Sequence, residues 1–255
     1  MLDYLRALHA EGLKIRRTSA LMLALVAPYT VVLLQALIVH QIAPRVGPEV
    51  DGWLWLGGNC LLMWTAVLLP LFVALEAALL ADLEHRNRTF KHLFALPTRR
   101  VGIYGAKLTT TFVLTALSLV LMASGTWLAG KGLHRAHPTL GFDEPFPLAL
   151  WLRAGGYVLL GCLMMVAIHV WLSLRRLGFA PTLGLAVLAT LTTGVVARFD
   201  EGLWLYFPWA LPVRLFEVFK TEVTPAPELV AFCILGGLGV AVLGGWDVLR
   251  RDVTA

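Results

Sequence analysis

The feature that most constrains the fold is a succession of six apolar stretches, each long enough to cross a lipid bilayer as an α-helix. A bilayer-spanning helix needs roughly 20 predominantly apolar residues. The stretches lie at about residues 20–42, 54–81, 108–129, 154–173, 180–197 and 229–247. Hydrophobic residues make up 58% of the 255-residue chain and charged residues only 15%, a balance that a soluble domain could not bury. The sequence therefore predicts an all-α, polytopic membrane protein, with one domain over residues 1–255.

The charged residues between the spans predict the orientation of the chain. Fourteen of the 21 Lys and Arg residues fall on the side that holds both termini, and seven fall on the other side. Because Lys and Arg are enriched in cytoplasmic loops, we expect both termini in the cytoplasm. In residues 2–17, Leu5, Leu8 and Ile15 recur at helical spacing among basic side chains. This pattern predicts an amphipathic helix on the cytoplasmic membrane surface, and the alternative is an ordinary basic flank.

Motifs for catalysis or for metal binding do not emerge from the sequence. Residues 125–132 resemble a phosphate-binding loop, but Gly132 stands where a Ser or Thr hydroxyl is needed for magnesium. The zinc-protease and serine-hydrolase motifs are missing, and the three cysteines lie singly in apolar stretches. We therefore expect no enzyme activity, no metal site and no cofactor on this chain. Membrane topology accounts for the net charge of +5, so we expect no nucleic-acid partner.

The longest cytoplasmic connection, residues 82–107, bears most directly on function. It predicts a short helix at about 82–95 that ends before Pro97. Leu83, Phe90 and Phe94 fall on one side of this helix. Exposed Phe and Leu side chains on a cytoplasmic face are expected to dock against another protein. The alternative is that the helix rests on the membrane surface.

A family resemblance rests on the same connection. The first cytoplasmic loop of ABC-2-type permeases is similar to the run Glu84-x-x-x-x-Thr89-x-Lys91-x-Leu93-x-x-Leu96-Pro97-x-x-Arg100, followed by Lys107. Both chain ends also resemble this family, through Leu13-Lys14-x-Arg16-Arg17 and Asp247-x-x-x-Arg251-Asp252. The closest resemblance is to the six-span branch that includes lantibiotic-immunity and bacitracin-resistance proteins. One departure is Arg88, which replaces the Gly of a frequent Asn-Gly-Thr and favours a more regular helix.

The resemblance implies the permease subunit of a bacterial ATP-driven exporter in the cytoplasmic (inner) membrane. Stretch 84–97 would be the coupling helix, seated in a cleft of a separate ATP-binding-cassette ATPase that binds ATP and Mg²⁺. The residues implied at that interface are Glu84, Arg88, Thr89, Phe90, Lys91, Leu93, Phe94, Leu96, Pro97 and Arg100. A homodimer, or a dimer with a related permease, would move a hydrophobic or amphipathic cargo such as a peptide antibiotic, a lipid or a drug. The alternative is a stand-alone immunity or scaffold protein that binds a peptide without transport.

The largest outer connection, residues 198–228, is apolar over 203–219. Aromatic rings favour the membrane interface, and prolines interrupt helices. By the family resemblance this segment would be a re-entrant pair of helices at the exit gate, and the alternative is an interfacial aromatic belt. The residues assigned to it are Trp204, Phe207, Pro208, Trp209 and Pro212.

The last span carries a stripe of small residues, Gly237, Ala241 and Gly245. Small residues at this spacing let two helix backbones approach closely in lipid. The stripe therefore predicts a helix-packing face. The alternative is that it reflects only the high frequency of glycine in membrane helices.

Overall fold

The computed structural model of the protein describes residues 2–15, 19–45, 50–86, 100–175, 179–199 and 201–250. Within these ranges all regular structure is helical. Six helical stretches are long and apolar enough to cross a membrane: Ser19–Arg45, Gly52–Ala81, Val101–Ala136, Leu148–Ser173, Ala180–Phe199 and Pro227–Arg250. The predicted all-α, polytopic architecture with six membrane-spanning helices is therefore confirmed.

The helices follow one another in a simple order along the chain. Their bounds are α1 Leu2–Ile15, α2 Ser19–Ile42, α3 Gly52–Met63, α4 Leu69–Arg86, α5 Arg100–Ala136, α6 Leu148–Ser173, α7 Phe179–Phe199, α8 Glu201–Tyr206, α9 Leu211–Phe216, α10 Val218–Thr221 and α11 Pro227–Arg250. The first span is α2, and the second consists of α3 and α4. The third, fourth, fifth and sixth spans are α5, α6, α7 and α11.

Two spans extend further than the apolar pattern suggested. Helix α5 begins at Arg100 and ends at Ala136, beyond both limits of the predicted stretch 108–129. Helix α6 begins at Leu148 rather than near residue 154, and the exposed Arg153 lies within it. The reason is that hydropathy detects only the section in lipid, whereas helical hydrogen bonds satisfy the backbone in water as well.

The second span contains an irregular turn next to Pro70. Proline has no backbone N–H and usually disturbs a helix, so the sequence predicts a kink here. The structure has a π turn at Trp64–Leu68, closed by the bond from the Leu69 N–H to the Trp64 carbonyl. The wider turn lies directly before Pro70, where the regular hydrogen-bond ladder would fail.

The second and fourth spans form the centre of the bundle. The second span buries large side chains along its length, including Trp53, Leu61 and Trp64. Helix α6 contacts α4, α5, α9 and α11. The outer spans expose apolar side chains instead, such as Leu191 on α7 at 64% and Val242 on α11 at 69%. In a membrane such surfaces face lipid, so this exposure needs no further partner.

The small residues of α11 lie on its packed side. A Cβ atom added at Gly237 would lie 2.6 Å from the Cβ of Leu163 on α6. At Gly245 it would lie 3.6 Å from the ring of Tyr104 on α5. Ala241, between them, is half-buried. The stripe thus lies on the side of α11 that faces the bundle, where a small residue permits close approach.

Residues 125–132, which resemble a phosphate-binding loop, lie inside α5. A phosphate-binding loop presents free backbone N–H groups to its ligand, whereas those of a helix interior are already bonded. Gly125 and Gly130 have a packing role here instead. A Cβ atom at Gly125 would lie 2.9 Å from the ring of Tyr29 on α2.

Candidate functional site

The N-terminal helix α1 packs against the beginning of α5. The hydroxyl groups of Tyr4 and Thr109 are 2.7 Å apart. Gly105 leaves room for the Tyr4 ring, because a Cβ atom there would approach it to 3.4 Å. Leu5 and Leu13 are about half exposed, on the side away from α5. Helix α1 therefore has one face on the bundle and apolar side chains available to lipid, as an amphipathic interfacial helix requires.

A buried ion pair joins α1 to the second and third spans. Glu11 and Lys107 are only 2% and 1% exposed. The Lys107 Nζ lies 3.3 Å from both carboxylate oxygens of Glu11 and donates to the Leu80 carbonyl at 2.9 Å. Lys14 also reaches Glu11, at 2.7 Å. Buried charges are stable only when they are paired and hydrogen-bonded in this way, so Lys107 holds α1, α4 and α5 together.

The ion pair lies next to the connection between the second and third spans. Leu80 is six residues before the end of α4, and Lys107 is seven residues after the start of α5, which is about 10 Å along each helix. Helix α4 therefore ends, and α5 begins, at the end of the bundle where α1 is attached. We call this end of the bundle the α1 end.

The residues predicted for the coupling interface fall at this same end. Glu84 is in the last turns of α4, and Arg100 is the first residue of α5. The others lie outside the described residues: Arg88, Thr89, Phe90, Lys91, Leu93, Phe94, Leu96 and Pro97. Their proposed contact with an ATPase therefore stays a prediction.

Sequence reasoning missed the partner of Lys107. Glu11 belongs to a helix of mixed charge, where an acidic residue is usually interpreted as a solvated one. The sequence does contain one indication of its burial, which is its position. Tyr4, Leu8 and Glu11 are spaced by four and three residues, so they share one face of the helix. Only the docking of that face on α5 shows that the carboxylate is buried.

At the opposite end, residues 201–221, which follow the fifth span and contain α8, α9 and α10, fold back along α6. We call them the re-entrant segment. Gly161 of α6 lies against the backbone of α9, where an added Cβ atom would be 2.9 Å from the Leu211 carbonyl carbon and from the Pro212 nitrogen. Further along, the rings of Phe219 and Trp151 meet edge to face at 5.2 Å. The segment thus runs antiparallel to α6 inside the bundle rather than across its surface.

The deepest point of this segment is held by Trp209. Its Nε1 donates to the Nε2 of His169 at 3.2 Å, and both side chains are buried. His169 is 21 residues after Leu148, which is about 31 Å along α6. Such depth is typical of a re-entrant segment, whose irregular backbone is tolerated in a membrane only where protein surrounds it.

The other residues predicted for this segment surround that contact. The guanidinium of Arg214 lies over the ring of Trp204 at 4.8 Å, and Phe207 contacts the Trp209 ring at 5.4 Å. Pro208 is in the turn at 208–210. Pro212 is in the first turn of α9, where the missing N–H costs no helical hydrogen bond. These contacts make Trp209 a packed interior residue, while Tyr206 remains exposed.

One comparison with known proteins identifies the family. The model of the family described as "ABC-2 family transporter protein" matches residues 7–193. No curated protein and no solved structure shows a significant match. The matched range includes Glu11, Lys107 and the connection at 87–99, and it ends within α7, before the re-entrant segment. Because the match covers well over half of the 255 residues, the chain belongs to the ABC-2 family of transporter proteins, as a multi-pass membrane component.

Proposed function

We propose that the chain is the permease subunit of an ATP-binding-cassette exporter in the cytoplasmic membrane of a bacterium. A separate ATPase subunit binds ATP and Mg²⁺ and drives the transport. The observation that carries this proposal is the buried Glu11–Lys107 pair beside the connection at 87–99, in a chain whose family supplies the membrane part of such transporters. The pair attaches α1 to the helices that flank this connection, so a displacement of the connection would also move α1, α4 and α5.

The mechanism follows from which elements are held together. The coupling helix at 84–97 docks into a cleft of the ATPase, and closure of two ATPase subunits on ATP displaces it. Lys107 links α1, α4 and α5, so these helices move with it as one body. Two permease copies then alternate between inward-open and outward-open states. The re-entrant segment, anchored by Trp209 on His169, forms the exit gate at the opposite end.

An apolar groove supports a hydrophobic or amphipathic cargo. It measures about 510 Å³ and lies between α5 and α6, towards the end opposite α1. Val120 and Leu152 border it with exposed side chains, and no atom lies within 4 Å of a Cβ atom placed at Gly155 or Gly156. A peptide antibiotic or a lipid fits this chemistry, in line with the resemblance to the lantibiotic-immunity and bacitracin-resistance branch.

The test is co-purification with the candidate ATPase, followed by ATP hydrolysis with and without the cargo. Truncation of a buried aromatic anchor costs about 2–4 kcal/mol of binding. Phe90→Ala together with Phe94→Ala should therefore weaken ATPase association well over tenfold. The matched control is Phe199→Ala, an aromatic truncation at the end of α7, where the side chain is 86% exposed. The control should bind the ATPase like the natural chain.

The outcomes separate the two candidate functions. A double variant that co-purifies fully and still transports would show that the helix merely rests on the membrane. Glu84→Gln keeps the shape of the side chain and removes its charge, so it should uncouple ATP hydrolysis from transport more than it weakens assembly. A chain that binds a peptide antibiotic but neither binds nor stimulates an ATPase would favour the stand-alone immunity protein.

A further inference from the structure

A cavity with charged side chains in its wall lies at the end of the bundle opposite α1, between the re-entrant segment and the first turn of α11. Its volume is about 470 Å³. The charged side chains in its wall are Arg214 and Glu217 from α9 and the residue after it, and Glu228 from α11. Neither the family match, which ends at residue 193, nor the proposed coupling to an ATPase assigns it a role.

Arg214 has a donor without an acceptor in this wall. Its NH1 lies 3.4 Å from Glu217, and its flat face covers Trp204. The Nε–H is buried and makes no hydrogen bond with any described residue. A guanidinium binds phosphate through two parallel N–H donors, and the edge that contains Nε is suited to this. An unpaired buried donor is costly, so an oxyanion at this edge would stabilise the site.

The wall of the cavity also contains negatively charged side chains that could bind a cationic group. Glu228 is exposed in the first turn of α11, and no hydrogen bond joins it to the described part of the chain. With Glu217, it gives the wall two carboxylates against one guanidinium. A ligand that satisfies both sides must carry an anionic group for Arg214 and a cationic group for Glu228.

The rim of the cavity indicates where such a ligand comes from. Glu228 lines the cavity, and the exposed side chains of Leu235 and Val242 follow it at steps of seven residues on the same face of α11. This strip is a surface for acyl chains directly beside the charged wall. Among the lining residues only Tyr206 is aromatic, whereas quaternary ammonium groups are usually held by aromatic cages. A primary ammonium, which hydrogen-bonds to carboxylates, fits better.

We propose that this cavity binds the head group of a phospholipid with a phosphate and a primary amine, of the phosphatidylethanolamine class. Arg214 receives the phosphate, Glu228 receives the ammonium, and the acyl chains lie along α11. The proposal is independent of the ATPase and of the cargo, because it concerns a lipid at the rim of the re-entrant segment.

The experiment measures lipid retention by the purified chain in detergent. The chain is mixed with equal amounts of phosphatidylethanolamine and phosphatidylglycerol, and the bound lipids are counted by native mass spectrometry. The natural chain should retain more phosphatidylethanolamine. Arg214→Gln should lower that retention about tenfold, the effect of one lost charge-assisted contact. Glu228→Gln should lower it about threefold and remove the preference over phosphatidylglycerol. The matched control is Glu222→Gln, an exposed glutamate that does not line the cavity.

Three outcomes would contradict the proposal. Equal retention of both lipids by the natural chain, or unchanged retention in Arg214→Gln, overturns it. Glu228 is exposed, so Glu228→Gln keeps the test valid if loss of the Trp204 contact unfolds the Arg214 variant. Displacement of the lipid by soluble phosphoethanolamine at the same concentration would show that the site reads a free zwitterion instead.

Discussion

Lys107 is a charged residue with almost no access to solvent, seven residues into a membrane-spanning helix. An uncompensated charge at such a site would be expensive, and here Glu11, Lys14 and the Leu80 carbonyl surround the charges. About 31 Å along α6 from Leu148, the buried Trp209 Nε1 donates a hydrogen bond to the Nε2 of His169. Buried polar contacts thus help to attach both α1 and the re-entrant segment to the spans.

Loss of Lys107 should destabilise the α1 end. Lys107→Met leaves Glu11 buried with only Lys14, and removal of one partner of a buried pair costs about 3–5 kcal/mol. The free energy of unfolding should fall by that amount, measured in detergent by chemical or thermal denaturation. Lys131→Met is the control, because Lys131 is exposed on the same helix.

A double variant tests the interaction itself. Glu11→Gln combined with Lys107→Met removes both charges, so much of the stability lost in Lys107→Met should return. If Lys107→Met is no less stable than Lys131→Met, the ion pair does not hold α1 in place.

Trp209→Phe should loosen the re-entrant segment without emptying the site. The ring is retained, but the Nε1 donor is lost and the Nε2 of His169 keeps no partner from this side chain. A buried acceptor left unpaired costs about 1–3 kcal/mol, so we expect a drop of that size in the free energy of unfolding. Trp246→Phe serves as the comparison, since Trp246 is half exposed on α11 and contacts the guanidinium of Arg250. Equal effects of the two substitutions would mean that the hydrogen bond is not significant.

At the scale of elements, α6 organises the bundle because its sides face different neighbours. One side has Gly161 against the backbone of α9, while Gly155 and Gly156 border the open apolar groove. Helices in lipid approach most closely where a side chain is absent, so Gly161 sets the distance between α6 and the re-entrant segment.

Gly161→Ala and Gly156→Ala should have opposite effects. The added methyl group at position 161 meets backbone atoms at 2.9 Å, and overpacking of this kind costs about 1–3 kcal/mol. At position 156 no atom lies within 4 Å, so alanine should be neutral or stabilise the helix by up to about 1 kcal/mol. Thermal unfolding of both variants measures the difference. A Gly161→Ala variant as stable as Gly156→Ala would show that α9 moves away without cost.

At the scale of the whole molecule, the order of the spans brings four features to one side of the bundle. These are α1, the end of α4, the beginning of α5 and the end of α6. The Lys and Arg distribution predicts that this side is cytoplasmic. The re-entrant segment and the cavity beside it then face outwards.

Reporter fusions test the orientation directly. A reporter that is active only outside the cytoplasm should stay silent when it is fused after Ala255. The same reporter inserted at Glu222, in the exposed connection before α11, should be active. Activity only at Ala255 would reverse the assignment of the two sides, and activity at both positions would contradict a membrane crossing by α11.

The number of spans could be predicted from the sequence, because crossing lipid requires a continuous apolar run and this is a local property. The family could also be found, since residues such as Leu96, Pro97 and Lys107 form a linear motif. Only the tertiary structure paired Lys107 with Glu11 and Trp209 with His169, which are separated by 96 and 40 residues. Hydropathy shows how long a helix can remain in lipid, but not which of its faces meets another helix. The burial of a polar side chain depends on that packing, and therefore on the folded molecule.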